Sequence, residues 1–432
     1  MRLLYSIVLY LLTPFVVARL LWLGFRDHEY WKGWPQRFGF ITVPVSVRPL
    51  LWIHAVSVGE VQAAVPLVQR LLAGYSHYQI LLTTVTPTGA AMVRQRFAGR
   101  VPHCYLPYDL PGAVNRFLRS VCPETVFIME TELWPNLFHQ CHKHGIRIFL
   151  INARMSPRSF AGYKRAGLLT RQLLSRIDGI AAQTGEDSQR FISLGAEASR
   201  VHVTGNLKCD VNVPPGIVEQ ARSLRRFFSV ARPVWIAAST HEGEEALILD
   251  AHCTILEKRQ SCLLIMAPRH PERFGRVAGL SVGKGFRTVC KSQVSECAAD
   301  VQVYILDTLG ELPVYYAASD VAFVGGSLAP ACGGHNVLEP ASLGIPVISG
   351  GYTQNFTEIN RLLMEQGAEW QVSDSRELAE KVELLLADGN LRHRMGKLGK
   401  EMVEQNRGST DLVMKLIGGN LSVHTSDGNS PG

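Results

Sequence analysis

Two glutamates stand where a short apolar run gives way to a helical pattern, and both suit proton chemistry. Ser57-Val58-Gly59-Glu60 follows the run 51–56 and opens the next helix. Gly59 permits a tight turn, and Glu60 then projects from a strand's carboxyl end. A general base for a hydroxyl must be a carboxylate or histidine within hydrogen-bond reach, and Glu60 has the right chemistry. The same position also suits an acid that only stabilises a helix N-terminus. Glu130-Thr131-Glu132-Leu133-Trp134-Pro135-Asn136 repeats this geometry after a later run. Helix capping, with Pro135 in the first turn, is the alternative role for Glu130. Arg154, Arg158, Lys164, Arg165, Arg171 and Arg176 follow the next run. Arginine forks fit carboxylate and phosphate, so this stretch is either a contact for an acidic sugar or phosphorylated lipid, or a solvated helix face.

The second half carries anion-binding signals. Ser239-Thr240-His241-Glu242-Gly243-Glu244-Glu245 follows a strand and enters a helix, where hydroxyls and free N–H groups either seat an anion or cap the helix. Ala267-Pro268-Arg269-His270-Pro271-Glu272-Arg273 ends the next strand, with proline holding the loop open and Arg269 able to reach a ligand. Gly325-Gly326-Ser327, then Gly333-Gly334-His335-Asn336-Val337-Leu338-Glu339-Pro340, is the most specific stretch. Paired glycines entering a helix allow close approach of backbone to phosphate, and Glu339 can accept both hydroxyls of a ribose. Neither GxGxxG nor a Walker A lysine occurs, which argues against dinucleotide dehydrogenases and ATPases. A glycine-rich loop before a helix bearing glutamate suits nucleotide-sugar enzymes.

Positioning these groups requires strands that end at the site. Apolar runs at 51–56, 79–84, 125–129, 146–151 and 179–182 alternate with helical stretches such as 61–72, 88–97 and 133–144. Strands apolar on both faces and separated by helices predict a parallel sheet covered on both sides. The rhythm lapses near 204–216, where Val213-Pro214-Pro215-Gly216 reads as a hinge. It restarts with strands at 234–238, 261–266, 302–306, 321–324 and 346–349, and helical patterning returns at 376–386 and continues to about 417. The expected fold class is α/β, with two Rossmann-like, doubly wound domains facing a cleft and ligands at the strands' carboxyl ends. The last residues, 418–432, read as a disordered tail.

The N-terminus differs from the rest. Residues 3–18 are uncharged and mostly apolar, and the run resumes after Arg19 to residue 25. Trp22, Phe25, Tyr30, Trp31, Trp34 and Phe38 then stand among Arg26, Lys32 and Arg37, a mixture suited to the headgroup layer. The run is marginal for a span and contains Pro14. A cleaved signal peptide lacks its small-x-small site here, and a buried core helix is a further reading. The favoured one is a membrane anchor with the body on the cytoplasmic side. A net charge of +7 suits an anionic ligand or membrane better than nucleic acid. Nine cysteines without CxxC or zinc-ligand spacing indicate reduced thiols, not a disulfide framework or metal cluster.

The motifs SVGE (57–60), ETELWPN (130–136), INARMS (151–156), TGNLK (204–208), STHEGEE (239–245), APRHPERF (267–274) and GGHNVLEPA (333–341) together resemble the 3-deoxy-D-manno-octulosonic acid (Kdo) transferases, GT-B glycosyltransferases of lipopolysaccharide assembly. The resemblance runs from the hydrophobic anchor to about residue 410. It implies Glu60 as proton acceptor, with Glu130 and Lys208 stabilising the transition state. It places CMP contacts at Pro268, Arg269, Leu309, Gly310, Glu311, Asn336, Val337, Leu338 and Glu339. Val337 stands where the family pattern has proline. The implied substrates are CMP-Kdo and lipid IVA, joined with inversion at the inner membrane's cytoplasmic face, with no metal or other cofactor. The domains implied are an anchor at 1–38, an acceptor-binding domain at 39–210 and a CMP-sugar-binding domain at 211–417. A UDP-sugar-dependent lipid glycosyltransferase and a nucleotide-sugar epimerase of the same fold are the alternatives.

Overall fold

The structure, a computed structural model, describes residues 2–26, 28–41, 48–211, 213–330, 332–419 and 421. The chain forms two compact units: Met1–Asp210 with Arg407–Gly432, and Val211–Asn406. The sequence reading ran the second domain to residue 417. The helix Ser409–Gly418 instead belongs to the first unit, where Val413 and Ile417 join the core with Leu51, Ile53 and Ala181. Its entry is fixed by Asp210, whose carboxylate accepts from Gly408 N and Thr410 N at 2.7 and 2.5 Å. The expected tail lies almost wholly outside the described residues.

The first unit holds strands β1 (Leu50–His54), β2 (Gln79–Thr84), β3 (His103–Tyr105), β4 (Pro123–Met129), β5 (Arg147–Ala153), β6 (Gly179–Ala182) and β7 (Val201–Val203). They form one parallel sheet in the order β3-β2-β1-β4-β5-β6-β7. Alternation feeds two cores. Leu50 and Trp52 enter one, and Leu51 and Ile53 enter the other on the opposite face. Each such fully buried side chain contributes about 1.5–3 kcal/mol, which is why β1 reads as an unbroken apolar run.

The second unit repeats the plan with β8 (Val234–Thr240), β9 (Leu263–Pro268), β10 (Thr288–Cys290), β11 (Val303–Ile305), β12 (Val321–Val324), β13 (Val347–Gly350) and β14 (Glu369–Val372). Their order is β10-β11-β9-β8-β12-β13-β14, again all parallel. Both sheets therefore have a switch point, between β1 and β4 and between β8 and β12, where loops diverge and ligands bind. At the far edge Glu369 is buried, accepting from Ser349 Oγ at 2.5 Å and Asn360 Nδ2 at 2.9 Å. Burial pushes its carboxyl up to about 8, against the opposing pull of those two hydrogen bonds.

The apolar N-terminus forms one helix, Arg2–Arg26, continuous through Pro14. Arg2, Tyr5, Ser6, Leu9, Thr13, Val16, Val17, Leu20, Leu23 and Gly24 are sheltered at helical spacing along its whole length. Ser6 Oγ and Arg2 Nη1 donate to Asn136 Oδ1 at 2.9 and 3.3 Å, and Gly112 N donates to the Tyr10 hydroxyl at 3.4 Å. The opposite face is bare, with Leu3 71%, Leu11 70%, Phe15 72% and Phe25 75% exposed. A buried core helix is excluded by that exposure. The helix is long and apolar enough to cross a membrane, yet it packs lengthwise against the first unit.

Candidate active site

In the first unit, Glu60 and Glu130 leave the carboxyl ends of β1 and β4, on either side of the switch point. Ser57 caps the helix Val58–Gly74, and Glu60 reaches back to it, as in a capping box. Val56 N donates to Glu60 Oε2 at 2.8 Å and Ser57 Oγ to Oε1 at 3.1 Å. The capping role is thus real, but it does not neutralise the acid. Burial, and then the negative charge of Glu130, push the Glu60 carboxyl up to about 7, outweighing the hydrogen bonds from Val56 and Ser57.

Glu130 adopts a left-handed backbone, φ 55°, and its amide donates to Ile151 O at 2.9 Å. That turn sends its carboxylate between two cations: Arg154 Nε at 2.8 Å from Oε2 and Lys208 Nζ at 3.9 Å from Oε1. Burial lowers the Lys208 ammonium from its ordinary value, with Glu130 pulling the other way. The structure therefore brings Glu60, Glu130 and Lys208 into one cluster. Sequence reading did not find how Lys208 is held. Asn152 ends the INARMS strand with φ 56°, and its Oδ1 accepts from Leu207 N at 2.9 Å. A buried asparagine beside a strand end was the available signal, since its short polar side chain tolerates the left-handed region.

The second unit treats its acids differently. At 239–245, where the sequence allows either an anion seat or a helix cap, the helix begins only at Glu245, and one amide of the loop, His241 N, is taken by the chain's own Glu244. Glu244 accepts from His241 N at 2.8 Å, Gly326 N at 2.6 Å and Leu328 N at 3.3 Å. A Cβ on Gly325 would lie 2.5 Å from Glu244 Oε1, so the double glycine admits this carboxylate. Glu245 is likewise spent, pairing with Arg273 Nη2 at 2.8 Å.

Pro268 ends β9 and is buried, and Arg269 follows, half-exposed and without a carboxylate partner among the described residues. Beside it His241 and His335 stack with their Nε2 atoms 2.8 Å apart. Burial, with the positive charge of Arg269 among the lesser causes, pushes them down to about 4 and about 3, so both rings are neutral. The helix bearing Glu339 is only Leu338–Ser342, starting after Gly334–Asn336, so the expected phosphate-facing helix terminus is not there. Asn336, one residue before the Val337 N-cap, instead ties into its first turn: Oδ1 accepts from Leu338 N at 3.1 Å and Nδ2 donates to Glu339 Oε1 at 3.1 Å. Val337 and Leu338 are buried. Leu309 is 71% exposed, Gly310 has φ 88°, and Glu311 pairs with Lys291 Nζ at 2.5 Å.

Two parallel, doubly wound units, one with a buried acid–lysine cluster and one with a glycine-rich loop beside an unpaired arginine, define a GT-B glycosyltransferase. Comparison with known proteins narrows this. Residues 32–211 match the family model for 3-deoxy-D-manno-octulosonic-acid transferase (kdotransferase), and residues 232–402 match that for glycosyl transferases group 1. The chain is 39% identical to the 3-deoxy-D-manno-octulosonic acid transferase of Haemophilus influenzae, over 96% of this chain and 98% of that protein. It is 35% identical to the transferase of the same name from Bordetella pertussis, over 96% and 98%. The UDP-GlcNAc 2-epimerase of Neisseria meningitidis superposes with a TM-score of 0.52 at 14% identity, over 86% of this chain and 100% of that one, a likeness of fold alone. The chain belongs to the 3-deoxy-D-manno-octulosonic acid transferase family.

Proposed function

We propose that the protein transfers Kdo from CMP-Kdo to lipid IVA with inversion, using Glu60 as general base. Glu60 takes the proton from the acceptor's primary hydroxyl as its oxygen attacks the anomeric carbon of Kdo, and the bond to CMP breaks on the opposite side. The observation that carries this reading is Glu60 itself: a carboxyl held near 7 by burial and a neighbouring acid, where a base works best at neutral pH. Glu130 holds Lys208 and Arg154 beside it, placing positive charge where the transition state develops negative charge. In the second unit Arg269 meets the departing phosphate without a metal, and the loop from Asn336 to Glu339 and residues 309–311 hold the nucleotide. At the membrane the helix Arg2–Arg26 lies along the surface, its bare face in the lipid and its sheltered face on the first unit.

The test is mass analysis of products from CMP-Kdo and lipid IVA. Glu60→Gln is expected to lose about 10²–10⁴-fold in transfer while CMP binding persists. Because the base must be ionised, the native rate should climb with pH through about 7 and then level off. Near-native transfer by Glu60→Gln would remove Glu60 as the base.

A further inference from the structure

The first unit carries a second feature outside the cluster of Glu60, Glu130 and Lys208. Beyond the apolar helix, the segment 33–41 folds back onto the helix Pro111–Val121, and a groove of about 570 Å³ opens between them. Its walls are Pro35, Phe40, Ile41, Arg116, Arg119 and Ser120. The segment is tightly seated. Gly39 has φ 85°, and a Cβ there would sit 2.1 Å from Ala113 O. Arg116 Nε and Nη2 both donate to Phe38 O, at 3.2 and 2.7 Å, and its guanidinium lies 4.5 Å from the centre of the Phe40 ring.

The charge in this groove is one-sided. No acid lines it, and neither Arg116 nor Arg119 meets a carboxylate among the described residues. An apolar wall with Phe40 59% exposed beside two guanidinium groups that meet no carboxylate among the described residues complements an amphiphile with an anionic head. The helix that carries both arginines also meets the apolar N-terminal helix, since Gly112 N, near its start, donates to the Tyr10 hydroxyl.

We propose that this groove binds the phosphate headgroup of an anionic bilayer phospholipid, with Phe40 and Ile41 against the first carbons of its chains. The proposal rests on the surface-lying reading of the N-terminal helix and is independent of the transfer chemistry. Flotation of the full-length protein with phosphatidylcholine vesicles, with and without phosphatidylglycerol, tests it. Native protein should prefer the phosphatidylglycerol vesicles. Arg119→Gln should weaken that binding about fivefold, the effect of one cation near the surface, with unchanged thermal unfolding. Ser120→Trp, which fills the groove without changing charge, should reproduce the loss, and Arg222→Gln, a charge-matched change in the second unit, should not.

Equal losses from Arg119→Gln and Arg222→Gln, or none from Ser120→Trp, overturn the site. So does protection by soluble glycerol phosphate, which would make it a free-phosphate site. If Arg119→Gln raised the KM for lipid IVA in pure detergent, the groove would belong to the acceptor instead. Native protein that binds both vesicle types equally keeps the membrane reading and sinks the groove, whereas failure to bind either sinks both.

Discussion

Glu60 and Glu244 follow the first strand of their respective sheets, and both are buried at the opening of a helix. Their surroundings separate them. Glu244 is saturated by three backbone amides belonging to two loops, so its charge is consumed in holding the glycine-rich loop. Glu60 has one amide and one hydroxyl, and it faces Glu130. A buried acid whose lone pairs are filled by backbone is architecture; one left short of donors beside another acid keeps its proton in play.

That contrast breaks if Glu244→Ala leaves the protein as stable as before. The substitution strands three N–H groups, two of them buried, at roughly 1–3 kcal/mol each, so a loss of about 4 kcal/mol is expected in denaturant unfolding of the second unit. Glu130→Gln sharpens the other half. Transfer should fall about 100-fold, a typical cost for one electrostatic stabiliser. Because the Glu130 charge raises the Glu60 carboxyl, the acid limb of the pH–rate profile should move to lower pH; an unmoved limb would mean the two acids do not communicate.

Glu369 gives the smallest effect and a third kind of buried acid, one that simply stays protonated. Its folded value, about 8, lies above the unfolded one. The stability it contributes is therefore complete below about pH 4 and drains away as pH rises through 8. Unfolding measured at pH 5 and pH 6.5 should show a loss of about 2 kcal/mol in the native protein that Glu369→Gln lacks; parallel pH dependences in the two proteins would count against it.

The inner strands were readable because both of their faces are buried, leaving continuous apolar runs. The four strands that sequence reading missed, His103–Tyr105, Val201–Val203, Thr288–Cys290 and Glu369–Val372, are the four edges of the two sheets. Edge strands are short and partly solvated, as in the wholly half-buried Thr288–Cys290, so no unbroken apolar run marks them. Glu60, Glu130 and Lys208 were legible as motifs. What the motifs hid is backbone: Glu130, Asn152 and Ser239 are non-glycine residues with φ of 55°, 56° and 57° at strand ends. Those turns are imposed by tertiary hydrogen bonds such as Asn152 to Leu207, which local sequence does not encode. The same blindness made Glu244 look like part of a ligand seat.

The return of the helix Ser409–Gly418 to the first unit has a consequence for biosynthesis. The second unit is an insertion, so the first remains incomplete while residues 211–406 are made. At ordinary translation speed that interval lasts about 10–40 s. Throughout it the apolar surface later covered by Val413 and Ile417 stays open, even though every strand of that sheet has already been synthesised. That surface stays uncovered at one defined place until the helix Ser409–Gly418 arrives, and Asp210, synthesised early, waits as the acceptor that fixes its start.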